Sequence, residues 1–271
     1  MKEGQVAIGR SGGEEVIHDF STHPHLLVSG ISYVGKSSVL RVLSHQLAFQ
    51  ETNLFWIVDM RDGVEYMDFA SVGIKVLSSL EQVGNLLRDM EAEHEARIQL
   101  FQKEQIQNFR RYNEKQTSQK LKRCYVIVDE LALVLNDKAL TEEDVKVAQI
   151  IKEKMIRIAK QGRVTGIHLI LSTQYAHPDI VPYPIRDNVT SRLVGYFSDV
   201  SKYKFLLSQI PDIKLDYPDM NNIELNRDFI YMFFDPGMCF EKIHSLRLNE
   251  FDFKCIPSIS YEKGMILQTV L

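Results

Sequence analysis

The chain has 271 residues, 45% of them hydrophobic, which is enough to bury one large α/β core and cramped for two full domains. Its 32 basic and 36 acidic side chains leave a formal charge of −4, so the whole-molecule field offers nucleic acid no attraction, though a local basic groove is compatible with that balance. The three cysteines, Cys124, Cys239 and Cys255, are odd in number and lack metal-ligand spacing, which reads as reduced thiols; no apolar run nears the roughly 18 to 20 residues that cross a bilayer, and Met1-Lys-Glu-Gly4 has no signal-peptide pattern.

In chain order, Gln5 to Ile8 and Glu15 to Asp19 flank the turn Arg10-Ser-Gly-Gly13, the pattern of a small hairpin. His25 to Ser29 is a short apolar run suited to a buried strand, and Ser38 to Phe49 has helical periodicity. Between them, Gly30-Ile-Ser-Tyr-Val-Gly-Lys-Ser37 fulfils the pattern G-x-x-x-x-G-K-[ST]. Strand, loop and helix in that order make a cradle for a polyphosphate such as ATP. The candidate binding residues are Gly30, Ile31, Ser32, Tyr33, Val34, Gly35, Lys36, Ser37 and Ser38. Their N–H groups wrap phosphate oxygens, Lys36 reaches the outer phosphates, and the Ser37 hydroxyl holds Mg²⁺. Without the flanking strand and helix, the same residues would be a tight glycine turn with an exposed lysine.

Leu54 to Asp59 is the next strand, ending in the turn-prone cluster Asp59-Met-Arg-Asp-Gly63, and Gly73 to Leu77 is another. Ser79 to about Asn113 alternates charged and apolar residues as a long amphipathic helix or helix pair; Glu91, Glu93, His94 and Glu95 fan around it and read as a solvated face rather than a metal site. Thr117 to Arg123 is a polar connector. Arg123-Cys-Tyr-Val-Ile-Val128 then runs apolar into Asp129 and Glu130, as a buried parallel strand does when its C-terminal end faces a ligand. Asp129 is the expected second Mg²⁺ residue, acting through water, and Glu130 the carboxylate that orients or polarises the attacking water.

Asn136 to Asp144 reads as a polar loop, with a helix starting at Thr141-Glu-Glu-Asp144 and running to Gly162. Gly166 to Ser172 is an apolar strand closing on Thr173-Gln174, Thr190 to Phe197 and Phe229 to Phe234 are two more, and Lys242 to Leu248 reads as an edge strand. Pro211 to Asn226, rich in Pro, Asp and Asn, reads as a loop. Alternating strands and helices predict an α/β fold with a mostly parallel central sheet and helices on both faces, a single domain over residues 1–271.

Five ordered blocks now carry a resemblance. His23-Pro-His-Leu-Leu-Val-Ser-Gly30, Asp59-Met-Arg-Asp-Gly-Val-Glu65, Val128-Asp-Glu-Leu-Ala132, Ala159 to Gln174 and Ile185-Arg-Asp-Asn-Val-Thr-Ser-Arg192 resemble the successive motifs of the FtsK/SpoIIIE branch of the RecA-like P-loop ATPases. Within it, the chain looks most like the EssC/EccC ATPases of type VII secretion. Bulky Ile31, Tyr33 and Val34 in the loop, Tyr175-Ala-His-Pro178 where translocases carry Arg-Pro, the acidic balance, and no winged-helix DNA reader after Leu271 all point that way.

That resemblance implies several things. Gln174 would sense the γ-phosphate, and Arg163 would be a trans-acting finger for a neighbouring module, with Arg192 the other candidate or a structural partner of the Asp187 region. His25 and His168 would be core or near-loop histidines. The partners would be neighbouring ATPase modules and the C-terminal signals of small WXG-type secreted proteins, docking near Tyr175, Ile180, Val181 and Tyr183. DNA would be the less favoured substrate. The parent would be a bacterial membrane protein with this module on its cytoplasmic side, a protein-export motor with weak or regulated hydrolysis.

Overall fold

The computed structural model describes residues 2–116, 120–135, 141–207, 228–234, 238–248 and 257. Its core is a block of six parallel strands: β3 (Leu26–Ser29), β4 (Asn53–Val58), β5 (Lys75–Leu77), β6 (Arg123–Val128), β7 (Ile167–Thr173) and β8 (Ser191–Val194). They stand in the order β8-β3-β7-β6-β4-β5. Every residue of β3, β4, β6, β7 and β8 is buried, as expected where helices cover both faces of a parallel sheet.

Alternate strand residues feed opposite cores. On one face, Trp56, Val126 and Leu169 pack with α3 (Leu80–Lys103), α5 (Leu131–Leu135) and α6 (Glu142–Thr165). On the other, Phe55, Ile57, Tyr125 and Ile170 pack with α1 (Lys36–Ala48). Ser79 accepts from Gln82 N at 3.3 Å to cap α3, and Thr141 accepts from Asp144 N at 3.2 Å to cap α6, so both expected helix starts are real. The expected helix pair resolves into α3 and a short α4 (Phe109–Lys115).

Helix α6 runs three residues past the expected end at Gly162. There the backbone touches the next strand, since a Cβ on Gly162 would stand 2.2 Å from Ile167 O. The glycine marks close packing, not a stop.

Four antiparallel strands extend the block. β8 is followed by β9 (Asp228–Phe234), β10 (Met238–Ser245), β1 (Gln5–Ser11) and β2 (Glu14–Asp19). This corrects the expectation of an edge strand at Lys242–Leu248. β10 lies inside the sheet because the predicted β1-β2 hairpin pairs onto it, Gly9 opposite Ser245 and Arg10 opposite His244. Its exposed Lys242 and His244 alternate with buried Ile243 and Ser245. The true edge, β2, carries exposed Glu14 and Glu15, which discourage further pairing.

The acidic stretch of α3 is also corrected. Glu91 pairs with Lys154 and Arg157, and Glu95 with Arg157, across to α6. Glu93 is buried against Arg97 at 2.6 Å, and His94 Nδ1 lies 2.9 Å from Thr165 Oγ1. This face is an interhelical ion network, not a solvated one. The polar stretch Pro211–Asn226, residues 136–140 and Cys255 lie outside the described residues.

Candidate nucleotide site

Strand β3 delivers the chain into the loop at Gly30, whose N–H donates to Thr173 O at 3.3 Å, while Ile31 N–H donates to Tyr196 O at 2.9 Å. Gly30 has φ +157°, and a Cβ there would lie 2.7 Å from Val34 Cγ1. A Cβ on Gly195 would likewise stand 2.8 Å from Val34 Cγ2. Val34 is therefore a buried peg between two glycines, not an obstruction in the cradle. Tyr33 adopts φ +69° and points into solvent, 93% exposed. An L-residue there costs about 1 to 2 kcal/mol. The loop keeps the left-handed turn that glycine would supply and meets that cost elsewhere.

Gly35 (φ +98°) precedes α1, so Lys36, Ser37 and Ser38 form the helix's first turn, whose N–H groups lack intrahelical acceptors. Lys36 Nζ folds over the loop and donates to Ile31 O at 2.9 Å. Burial lowers its pKa, the carboxylates Glu130 and Asp129 raise it, and Arg61 lowers it.

Ser37 Oγ donates to Asp129 at 3.1 Å (Oδ1) and 3.3 Å (Oδ2). Burial pushes the Asp129 carboxyl up to about 6, against the opposing effects of the Ser37 bond and of Arg61. Glu130, 4% exposed, is clamped: Oε1 accepts from Thr173 Oγ1 at 2.9 Å and Ala132 N at 3.1 Å, and Oε2 from Gln174 N at 3.1 Å. Gln174 Oε1 accepts from Ser32 Oγ at 2.7 Å, which ties the loop to the end of β7.

Three further residues belong here. Asp59 ends β4 beside Asp129, is 2% exposed, and its Oδ2 has no hydrogen-bond partner among the described residues. Arg61 donates its N–H to Asp59 Oδ1 at 3.1 Å, and its charge acts on both Lys36 and Asp129. The Tyr66 hydroxyl is buried, has no hydrogen-bond partner among the described residues, and lies within the field of the same carboxylates. The polar turn at Asp59–Gly63 was the sequence signal for the first two. Tyr66 gave none, being an aromatic residue in a short 3-10 turn.

These groups fit Mg·ATP. The Ser37 and Asp129 oxygens are already within hydrogen-bond distance of each other, and the orphaned Asp59 oxygen adds a hard acceptor suited to a cation's water shell.

The arginines separate. Arg163 is exposed near the end of α6, at the opposite end of seven-residue β7 from the loop, so about 20 Å of strand divides it from its own site. Arg192 is fully buried and donates to Val189 O at 2.9 Å and to Leu206 O and Arg186 O. Burial lowers its pKa to about 10. It is a structural clamp on α7 (Tyr183–Asn188) and α8 (Val200–Leu207), and this corrects its candidacy as a finger. His25 and His168 are core residues, as expected.

The expected peptide groove is corrected too. Ile180 and Val181 are 6% and 0% exposed and belong to the core; only Tyr175 and Tyr183 stay half exposed. Ile185, in the same segment, is buried in that core as well. Val181→Asp should therefore lose several kcal/mol of stability through an unpaired buried charge. Thermal melting followed by circular dichroism checks this; an unchanged melt would mean the side chain is surface-facing.

The loop strand β3 and the acidic strand β6, with β7 inserted between them, define a P-loop ATPase fold. The chain belongs to the FtsK/SpoIIIE family, whose profile matches residues 2–178. It is 27% identical over 204 residues to the DNA translocase FtsK of Chlorobaculum tepidum, covering 69% of this chain and 24% of that protein. The chain thus spans roughly a quarter of the length of the curated relatives it matches. In fold it is similar to the pCW3 conjugation coupling protein TcpA in its monomer form with ATPγS, at TM-score 0.80 and 23% identity over 92% of this chain and 68% of that one. It is also similar to ATPases 2 and 3 of EssC from Geobacillus thermodenitrificans, at TM-score 0.71 and 15% identity over 93% and 46% of the two chains.

Proposed function

We propose that this chain is an ATP-hydrolysing motor module that moves duplex DNA, working as part of a longer membrane-anchored protein or assembly. The observation that carries the motor reading is the assembled site: Ser37 against Asp129 at 3.1 Å, with Glu130 fixed by β7. The choice of DNA is supported by sequence relatives at 26–29% identity that are named DNA translocases. No described helix is long and apolar enough to cross a membrane, so anchoring would come from other parts of the parent.

Lys36 would neutralise the outer phosphates. Ser37 directly, and Asp129 and Asp59 through water, would hold Mg²⁺, which when bound neutralises charge on the β and γ oxygens. A carboxylate has about four acceptor sites, and Glu130 uses three on Ala132, Thr173 and Gln174, leaving one for the attacking water. Occupation of the γ-phosphate position would compete for Gln174, so the Ser32–Gln174 bond would report the nucleotide state. Arg163, too far from its own site, would act on a neighbouring module.

A second reading, a protein-export motor recognising helical signals, keeps the support of half-exposed Tyr175 and Tyr183. It loses Ile180 and Val181 as anchors. Hydrolysis measured with and without duplex DNA separates the two. The DNA reading expects stimulation of tenfold or more that weakens with salt; stimulation by a helical signal peptide and none by DNA would overturn it.

A further inference from the structure

At the end of the sheet remote from the phosphate loop lies a cavity of about 460 Å³. Its walls include Arg110, Arg111, Arg123 and Arg163, and none of its lining residues is acidic. Arg123 is 7% exposed, and its Nε has no hydrogen bond among the described residues; its ion-pair partner Glu3 stands 3.8 Å away. Its Nη2 donates to Ser21 Oγ at 3.0 Å, the Ser21 hydroxyl in turn bonds the Asp19 carboxylate, and the Arg123 guanidinium lies 4.9 Å from the Phe109 ring. His168 lies with Nδ1 2.7 Å from Pro24 O, so that nitrogen donates and Nε2, 3.4 Å from Arg123 Nη1, accepts. The imidazole thus orients Arg123 without adding charge. At the rim, Arg110 and Arg111 share the single carboxylate Glu114, and among the described residues Arg163 makes no ion pair.

Four guanidinium groups converging on a concave surface with too few carboxylates repel one another and focus a positive potential. An anion with several oxygens removes that cost, and the planar donor forks of arginine match phosphate geometry. The volume exceeds what one carboxylate fills and suits a polyphosphate. We propose that this cavity is a second phosphate-class anion site, in which Arg111, Arg123 and Arg163 act together. The ligand class is a free polyphosphate, bound by this chain alone.

The test uses the full chain carrying Lys36→Ala, so that the phosphate loop is disabled. Tripolyphosphate titrated into the dilute protein should bind with one equivalent, and Arg111→Ala/Arg163→Ala in the same background should weaken it tenfold or more. Both arginines are exposed, and circular dichroism verifies the fold of the double variant. No binding of tripolyphosphate, or binding equal in the double variant, overturns the proposal. Failure of DNA stimulation, by contrast, leaves it intact.

Discussion

Glu130→Gln should lower hydrolysis by a hundredfold or more while leaving Mg·ATP affinity within a few-fold of the parent. The side chains are nearly the same size, and the amide oxygen can still accept bonds from Thr173 Oγ1 and Ala132 N. The amide nitrogen then faces Gln174 N–H, donor against donor, where Oε2 accepts at 3.1 Å in the parent. What disappears is the anionic acceptor for the attacking water, and general-base contributions run at about 10² to 10⁴ in rate. Single-turnover hydrolysis beside equilibrium binding is the check. A variant that turns over at the parental rate would mean that the water is activated elsewhere, with Asp59 the buried carboxylate that keeps an oxygen without a partner among the described residues.

Acid should unfold this protein unusually early. His18 and His25 are fully buried with pKa pushed down to about 3, chiefly by burial, and His168 is held well below its usual value for the same reason. A histidine lowered in the fold is neutral there, whereas the unfolded chain takes up its proton near pH 6.5. Stability is therefore intact above about pH 6.5 and falls as the pH drops toward the folded values. Between pH 7 and 5 His18 and His25 each cost roughly 2 kcal/mol by this linkage, and His168 acts in the same direction. Asp129 works in the opposite sense, because its raised pKa of about 6 means the fold gains a proton over the same range, returning about 1 kcal/mol. The net loss from His18, His25 and Asp129 is roughly 3 kcal/mol, a large part of the stability of many domains. Urea unfolding at pH 7 and pH 5 measures it; equal stabilities would show that these imidazoles titrate in the folded state.

Much of this architecture was legible because each signal is local. The continuous apolar run of β6 ends in Asp129 and Glu130, and β3, the loop and α1 follow one another within about 25 residues, so chain order alone places Lys36, Ser37 and Asp129 at one sheet edge. What escaped depends on contacts distant in sequence. β10 reads as an edge because nothing in its own residues reveals that β1, more than 200 positions away, pairs with it. Glu93 and His94 look solvated until α6 is laid across them. Ile180 and Val181 offer apolar groups with equal readiness to a partner and to the core, and only packing decides. The phosphate loop shows the reverse limit. Its bulky residues pointed away from the translocase pattern, yet Val34 fills a slot between Gly30 and Gly195, and Tyr33 accepts a glycine-like backbone.

The central claim, that this loop is a working nucleotide site, is tested most directly by calorimetric titration of Mg·ATP into the parent chain and into Lys36→Ala. Lys36 lies over the loop with its ammonium on Ile31 O, so its removal leaves the core untouched. The parent should bind one equivalent at micromolar strength, about −8 kcal/mol, and the variant should show no resolvable heat while keeping its circular dichroism spectrum. Equal affinity in the two proteins would contradict the assignment.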